Sequence, residues 1–313
     1  MNYVEGSEMK LLVTGSSGLV GSALRKLAPK DSVFLSRTES DLTDFSSAEA
    51  AFKNHKPTHV IHLAAEVGGI GGNISNSGEY FRNNILINTN VLEVARKVGV
   101  SKLVSFMSTC VFPDSAKYPL TVDQIHDGPP HPSNFSYAYA KRMLEVQSRA
   151  YRKQWGLDYQ ILIPTNIYGP NDYWNLEEGH VVPSLIHKIY LAKINGQPLN
   201  VWGTGAPLRE FVFSEDIAKL ALWAIEAYES TEPLILSSGI EVSIRDLVIT
   251  ISKLMKFTGE VNFDDNKPDG QFRKPSDSEG LKTYLPNFTY QNLENGLSKT
   301  IEWFISNYPN IRL

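Results

Sequence analysis

The order of short apolar runs and amphipathic segments in the first 165 residues limits the fold of this chain more than any other feature. Five apolar runs have the composition of strands, at residues 10–15, 32–37, 59–65, 102–109 and 159–165. Segments with helical spacing of apolar residues lie between them, at residues 16–28, 46–55, 79–98 and 136–154. Strands that alternate with helices form right-handed βαβ units around a parallel sheet. We therefore predict an α/β fold with a doubly wound parallel sheet.

The pattern changes after residue 165. A helix at 181–193 is followed by a loop at 202–213, a helix at 214–228 and a strand at 234–239. Ser214 is expected to cap its helix, as Ser46, with Glu49 three residues later, is expected to open the helix at 46–55. We predict a sheet domain over residues 9–165 that the chain rejoins around 214–240. A smaller C-terminal α/β lobe that binds the substrate is predicted over 166–213 and 241–313.

Composition and charge exclude several classes of function. The 313 residues carry a net charge of −4 without a block of Lys or Arg, so nothing indicates a nucleic-acid partner. No stretch approaches the ~18 apolar residues of a membrane span, and the polar residues 1–8 lack the features of a signal peptide. One cysteine, Cys110, allows no internal disulfide and favours a cytoplasmic location, although a disulfide-free secreted protein would have the same count. We predict no metal, because no Cys/His cluster has ligand spacing.

A glycine-rich turn follows the first predicted strand. In "TGSSGLVG", three glycines have the spacing GxxGxxG between a strand and a helix. Glycine lets a backbone turn sharply and approach a pyrophosphate, and free N–H groups at the helix start face the anion. A plain tight turn is the alternative. We predict a Rossmann-like dinucleotide site at this turn, formed by Gly15, Ser16, Ser17, Gly18, Leu19, Val20 and Gly21.

The end of the second predicted strand indicates which dinucleotide binds. An Asp or Glu there would hold the ribose of NAD, whereas this chain has Arg37 in "LSRTES". An arginine fork suits a 2′-phosphate, so we predict NADP(H) as the cofactor. A solvated arginine without this role is the alternative. Asp41 and Leu42 would then lie near the adenine.

The motif "YAYAK" predicts a catalytic pair. Residues four apart share one face of a helix, so Tyr137 and Lys141 lie together while Tyr139 points away. An ammonium ~4 Å from the tyrosine contributes about 4 kcal/mol at an effective dielectric constant of 20, enough in principle to lower the tyrosine pKa by about three units before the cost of desolvation is counted. Ser108, at the end of the fourth predicted strand, could bond the same substrate carbonyl. An exposed amphipathic helix could also carry this motif by chance.

With these motifs in this order, the chain resembles the extended short-chain dehydrogenase/reductase family along essentially its whole length. The segments that carry the resemblance include "STCVFP", "YAYAKRM", "IPTNIYGPND", "EEGHVVPSLIHK", "VWGTGAPLREF" and "KPDGQFRK". The resemblance is strongest to members that epimerise a 4-keto nucleotide sugar at C3 and C5 and then reduce C4 with NADPH. It implies GDP-4-keto-6-deoxy-D-mannose as substrate, GDP-L-fucose as product, and a homodimer.

The same resemblance implies roles for individual residues. Cys110 and His180 would form the acid/base pair, with the choice of base open. Alone, Cys110 would be interpreted as a buried small hydrophobe, but two residues along a strand it would share the face of Ser108. Further cofactor contacts would be Lys141, Pro164, Thr165, Asn166, Ile167 and His180. Residues that would hold the sugar nucleotide are Lys188, Trp202, Arg209 and Asp269, although Lys188 could also be a solvated helix lysine.

Two other functions fit parts of the sequence. A nucleotide-sugar 4-epimerase or dehydratase would share the fold but would recycle a tightly held nicotinamide. A noncatalytic NADP-sensing module would be expected to have lost the YxxxK motif or the strand-end serine, and this chain has both.

Overall fold

The computed structural model describes residues 9–267 and 269–313, so the predicted polar tail at 1–8 lies outside the described residues. The strands in these residues are β1 (Leu11–Thr14), β2 (Val33–Leu35), β3 (His59–His62), β4 (Lys102–Phe106), β5 (Asp158–Pro164), β6 (Asn166–Tyr168), β7 (Leu199–Trp202), β8 (Leu208–Phe213), β9 (Leu234–Leu236), β10 (Glu241–Ser243) and β11 (Val261–Asp264). The α-helices are α1 (Leu19–Leu27), α2 (Phe45–His55), α3 (Ile70–Ser75), α4 (Ser77–Val98), α5 (Phe135–Trp155), α6 (Val181–Asn195), α7 (Ser214–Ala227), α8 (Ile244–Leu254), α9 (Glu279–Tyr284) and α10 (Leu293–Asn307).

A parallel six-stranded sheet forms the centre of the molecule. Its strand order is β2-β1-β3-β4-β5-β9, and every neighbouring pair is parallel. The order reverses between β1 and β3, which in such sheets opens a crevice at the carboxyl ends of the strands. The predicted α/β class with a doubly wound parallel sheet is confirmed. Strand β9 lies within the segment 214–240, while the predicted domain boundaries themselves stay a prediction.

Side chains alternate between two apolar cores, one on each face of this sheet. In β1, Leu12 belongs to the core beneath α2, α4 and α5, whereas Leu11 and Val13 belong to the core beneath α1 and α7. Successive residues of a strand point to opposite faces, and a sheet covered on both faces therefore needs continuous apolar strands. This packing explains why the strands could be found as apolar runs without polar alternation.

The C-terminal lobe has its own core and two small sheets, β10-β8-β6 and β11-β7. Apolar side chains of α6, α8 and α10 pack there against β8, where Phe213 is fully buried. The prediction of a loop over residues 202–213 was wrong, since β7 ends at Trp202 and β8 begins at Leu208. Between the two strands lie Gly203, Gly205 and Pro207. These residues are typical of turns, so the apolar run that follows them was not recognised as a strand.

Two predicted helix caps were wrong. Helix α2 begins at Phe45, and the Asp44 carboxylate accepts the Ser47 N–H at 2.7 Å, so Asp44 rather than Ser46 caps it. Ser214 lies inside α7 and is buried, and Phe213 precedes the helix without a side-chain cap.

Helix α3, in a glycine-rich segment, was not predicted. None of the helices within residues 9–267 and 269–313 is long and apolar enough to cross a membrane.

Candidate active site

A cavity of about 640 Å³ lies at the carboxyl ends of the large sheet and extends to the lobe. Every predicted site residue except Ser16 lines it, and Ser16 is 1% exposed. The lining residues are Gly15, Ser17, Gly18, Leu19, Val20, Gly21, Arg37, Asp41, Leu42, Ser108, Cys110, Tyr137, Lys141, Pro164, Thr165, Asn166, Ile167, His180, Lys188, Trp202, Arg209 and Asp269. The fold therefore brings distant sequence segments, from Gly15 to Asp269, to one site.

The glycine-rich turn has the shape that an anion site requires. Gly15 has φ +69°, and a Cβ there would lie 2.7 Å from the Ala64 nitrogen. A Cβ at Gly21 would lie 2.5 Å from the Gly15 oxygen, so neither position admits a side chain. Gly18 precedes α1 without a side-chain cap, which leaves the N–H groups of the first helical turn available to a phosphate.

Arg37 follows β2 and lines the cavity with an exposed side chain. Its Nη1 lies 3.2 Å from Oε1 of Glu66, a residue that the sequence analysis missed. The Asp41 carboxylate accepts hydrogen bonds from the Thr43 hydroxyl at 2.7 Å and the Thr43 N–H at 3.0 Å, which lower the pKa of Asp41. Arg37 therefore lies in the cavity wall with its guanidinium next to the Glu66 carboxylate.

Tyr137 and Lys141 lie on α5 with their side chains in the cavity wall. Lys141 is 2% exposed, its Nζ donates to the Phe106 carbonyl at 2.9 Å, and burial lowers its pKa to about 8. The Lys141 Nζ lies 5.9 Å from the centre of the Tyr137 ring. Burial, with a contribution from Cys110, raises the pKa of Tyr137.

The prediction that Lys141 lowers the pKa of Tyr137 was wrong. The Phe106 carbonyl accepts a hydrogen bond from the ammonium, and burial of Tyr137, with a contribution from Cys110, raises the tyrosine pKa instead. Tyr137 consequently keeps its proton at neutral pH, which is the state that a proton donor needs.

Ser108 and Cys110 reach the cavity by a route that differs from the predicted one. Strand β4 ends at Phe106, and residues Thr109–Val111 form a 3-10 turn, so the prediction that Ser108 and Cys110 share one face of a strand was wrong. The Ser108 hydroxyl caps this turn by accepting the Cys110 N–H at 3.4 Å. The turn places both side chains in the wall of the cavity.

His180 immediately precedes α6 and faces the cavity, to which its 45% accessible side chain is open. Its Nδ1 lies 3.7 Å from Oδ1 of Asp172. Burial opposes protonation of the imidazole, but the Asp172 carboxylate outweighs it and raises the pKa of His180. Asp172 is 2% exposed, and its Oδ2 has no hydrogen-bond partner in the described residues. Asp172 was not predicted from the sequence, although it lies in the segment "IPTNIYGPND".

The lobe contributes cations and an indole face to the other end of the cavity. The ammonium groups of Lys188 and Lys267 lie 5.0 Å and 5.3 Å from the centre of the Trp202 ring. Arg209 donates to the Leu208 carbonyl at 2.7 Å, and burial lowers its pKa. The Asp269 carboxylate accepts the N–H and hydroxyl of Thr204, both at 2.8 Å, so the loop after β7 already uses part of its acceptor capacity.

Comparison with known proteins shows the family of this chain. The family model described as "NAD dependent epimerase/dehydratase family" matches residues 11–237. The chain belongs to this family. The GDP-L-fucose synthase of Dictyostelium discoideum is 46% identical over 314 residues, with 98% of each chain covered. The GDP-L-fucose synthase of Escherichia coli (strain K12) is 32% identical over 320 residues, with 98% of this chain and 99% of that protein covered.

A solved structure extends the comparison to three dimensions. A GDP-L-fucose synthetase from Naegleria fowleri bound to NADP is 39% identical and superposes with a TM-score of 0.93. The match covers 98% of this chain and 96% of that chain. Within its family, the chain therefore belongs with the GDP-L-fucose synthases.

The burial of Lys141 has a measurable consequence for stability. Its pKa falls from 10.5 to about 8, so the folded state disfavours the ammonium. The resulting destabilisation is greatest below pH 8, where Lys141 is protonated in both the folded and the unfolded state. It disappears as the pH rises toward 10.5. Lys141→Met is expected to raise the free energy of unfolding at pH 7 by about 1–3 kcal/mol, measured by urea denaturation.

The comparison should be made with Lys253→Met, because the Lys253 side chain is 77% exposed. This control is expected to change stability little at any pH. A Lys141→Met protein that is less stable than the parent at pH 7 would contradict the assigned pKa direction.

Proposed function

We propose that this NADP-dependent enzyme converts GDP-4-keto-6-deoxy-D-mannose to GDP-L-fucose in one site, by epimerisation at C3 and C5 followed by reduction at C4. The observation that carries the proposal is a single cavity that holds two sets of proton-exchanging groups. Tyr137, Lys141 and Ser108 form one set, and Cys110 and His180 form the other. The GDP-L-fucose synthases that are 46% and 32% identical to the chain support it.

Epimerisation beside a ketone needs a base, an acid and a partner for the enolate oxygen. The C4 keto group acidifies the protons on C3 and C5, so a base removes each proton and an acid returns one to the opposite face. A thiol and an imidazole both exchange protons near neutral pH, which suits Cys110 and His180 to these roles. The Tyr137 hydroxyl and the Ser108 hydroxyl would stabilise the enolate oxygen.

Reduction at C4 uses the same oxygen partners. NADPH supplies the hydride when it is bound. Tyr137, whose raised pKa keeps it protonated, donates its proton as negative charge develops on the C4 oxygen. Ser108 orients the carbonyl by a hydrogen bond. Lys141 lies behind Tyr137, with its Nζ 5.9 Å from the centre of the tyrosine ring.

The residues in the cavity fit a dinucleotide with a 2′-phosphate. The uncapped start of α1 would receive the pyrophosphate, and Arg37 would bind the 2′-phosphate. The buried Thr165 hydroxyl lines the cavity without a hydrogen-bond partner in the described part of the chain, so it is available to the cofactor. Lys141 would bind the ribose at the reacting end, where Pro164, Asn166, Ile167 and His180 complete the wall.

The lobe provides the features that a GDP sugar requires. Lys188 and Arg209 line one end of the cavity and would balance the charge of the diphosphate. Trp202 offers a flat face for the guanine, and Asp269 offers acceptor oxygens for guanine N–H groups or sugar hydroxyls.

Neither alternative function explains the second set of groups. A 4-epimerase or dehydratase that recycles its nicotinamide does not account for Cys110 and His180 facing the site together with the tyrosine and the serine. A noncatalytic sensor has no use for a buried lysine behind a cavity-facing tyrosine. The chain is therefore best interpreted as an epimerase and reductase.

A homodimer and a cytoplasmic location stay predictions. Apolar side chains exposed on neighbouring helices support the homodimer. Phe81 of α4 and Tyr139 and Met143 of α5 are 43%, 37% and 41% exposed.

The decisive test is to mix the protein with NADPH and GDP-4-keto-6-deoxy-D-mannose. We expect one NADPH oxidised for each GDP-L-fucose formed, because reduction consumes the cofactor. Absorbance of NADPH and chromatography of the nucleotide sugars measure the two quantities. Formation of an epimerised product without net NADPH oxidation would instead support a 4-epimerase.

A further inference from the structure

The C-terminal segment brings an arginine to the glycine-rich turn at the opposite end of the sequence. Arg312 lines the cavity, and its Nη1 lies 3.9 Å from the position that a Cβ would take at Gly18. Its guanidinium carbon lies 5.7 Å from the centre of the Tyr173 ring. The guanidinium is thus held between an aromatic face and the start of α1.

Contacts of the main chain fix this segment. The Trp174 N–H donates to the Arg312 carbonyl at 2.8 Å, and Trp174 is completely buried. Ile311 packs against the core of the C-terminal lobe. The backbone of Arg312 is therefore anchored, although its side chain is exposed.

The charge of Arg312 lacks a counterion in the described residues. No carboxylate within residues 9–267 and 269–313 forms a salt bridge with it, whereas Arg37 at the same cavity pairs with Glu66. Its positive charge acts on His180 and tends to lower the pKa of that imidazole. Lys188 and Arg209 lie beside Trp202 and Leu208 at the lobe end. A cation without an acidic partner beside uncapped N–H groups is an environment for an anion.

We infer that Arg312 binds the pyrophosphate of the dinucleotide beside the glycine-rich turn. The N–H groups at the start of α1 carry only partial charge, while the guanidinium adds a full charge and a planar pair of donors. Cofactor affinity consequently depends on the correct docking of the C-terminal segment. The inference goes beyond the proposed reaction, because it concerns binding of the cofactor alone.

Dissociation constants of NADPH and NADH test this assignment, measured by calorimetry on the full-length Arg312→Gln protein. A pyrophosphate is common to both cofactors, so both are expected to bind about tenfold more weakly, and the loss should shrink as salt screens the charge. Arg312→Lys, which keeps the charge without the planar fork, is expected to give intermediate values. Arg25→Gln is the matched control, because Arg25 stacks on Phe34 at 4.5 Å outside the cavity.

Unchanged dissociation constants in both Arg312 variants would overturn the inference. A loss confined to NADPH would also overturn it, because Arg312 would then bind the 2′-phosphate instead. These measurements need no GDP sugar, so their outcome is independent of the proposed reaction. Thermal unfolding of each variant identifies any loss of fold, and Arg312→Lys carries the test if Arg312→Gln is unstable.

Discussion

Tyr137→Phe is expected to slow NADPH-dependent reduction of the 4-keto sugar by at least about 100-fold, because the hydroxyl is the proton donor to the C4 oxygen. Phenylalanine keeps the ring that packs in the cavity wall and removes only the acidic group. Single-turnover oxidation of NADPH measures the reduction step, and titration of NADPH measures binding. We expect binding to change little.

Tyr139→Phe is the matched control for this variant. Tyr139 lies on the same helix, is 37% exposed, and does not line the cavity. It should therefore retain parental turnover. Normal reduction by Tyr137→Phe would remove Tyr137 from the mechanism and leave Ser108 or an ordered water as the proton source.

Cys110→Ser is expected to suppress solvent-deuterium incorporation at C3 and C5 by about 100-fold or more. The substitution nearly preserves size, but a serine hydroxyl does not ionise near neutral pH as a thiol can. Mass spectrometry of the sugar after incubation in heavy water measures incorporation, and a separate titration measures NADPH binding, which should be unchanged.

Thr109→Ser provides the control for the local backbone. Thr109 is 6% exposed in the same 3-10 turn, so this variant alters the turn without touching the thiol. It is expected to keep deuterium incorporation close to the parental rate. Unchanged incorporation in Cys110→Ser would show that the thiol moves neither proton.

The positions of the main secondary-structure elements and much of the site could be predicted because their signals are local. Apolar runs marked β1, β3 and β5 to within a few residues, and the spacing of Tyr137 and Lys141 placed them on one helix face. The glycine-rich turn likewise depends on backbone freedom over a few residues. Such signals need no knowledge of distant contacts.

Predictions about environment failed where distant groups compete. Lys141 was expected to lower the pKa of Tyr137, yet a carbonyl of β4 holds the ammonium and burial raises that pKa. Cys110 was expected on a strand, whereas the chain turns into a 3-10 helix after Phe106. The first difference arises from packing between α5 and β4, which are far apart in the sequence, and the second from the local cap that Ser108 forms on the turn.

The amino-acid sequence by itself determined the doubly wound sheet, the glycine-rich turn and the tyrosine-lysine helix, since periodicity and backbone conformation are properties of short segments. Only the tertiary structure decided which charges meet in the cavity. It placed Asp172 beside His180 and brought Arg312 to Gly18 from the other end of the chain. Electrostatic interactions and desolvation depend on distances through space, and those distances exist only once the sheet and the lobe have packed together.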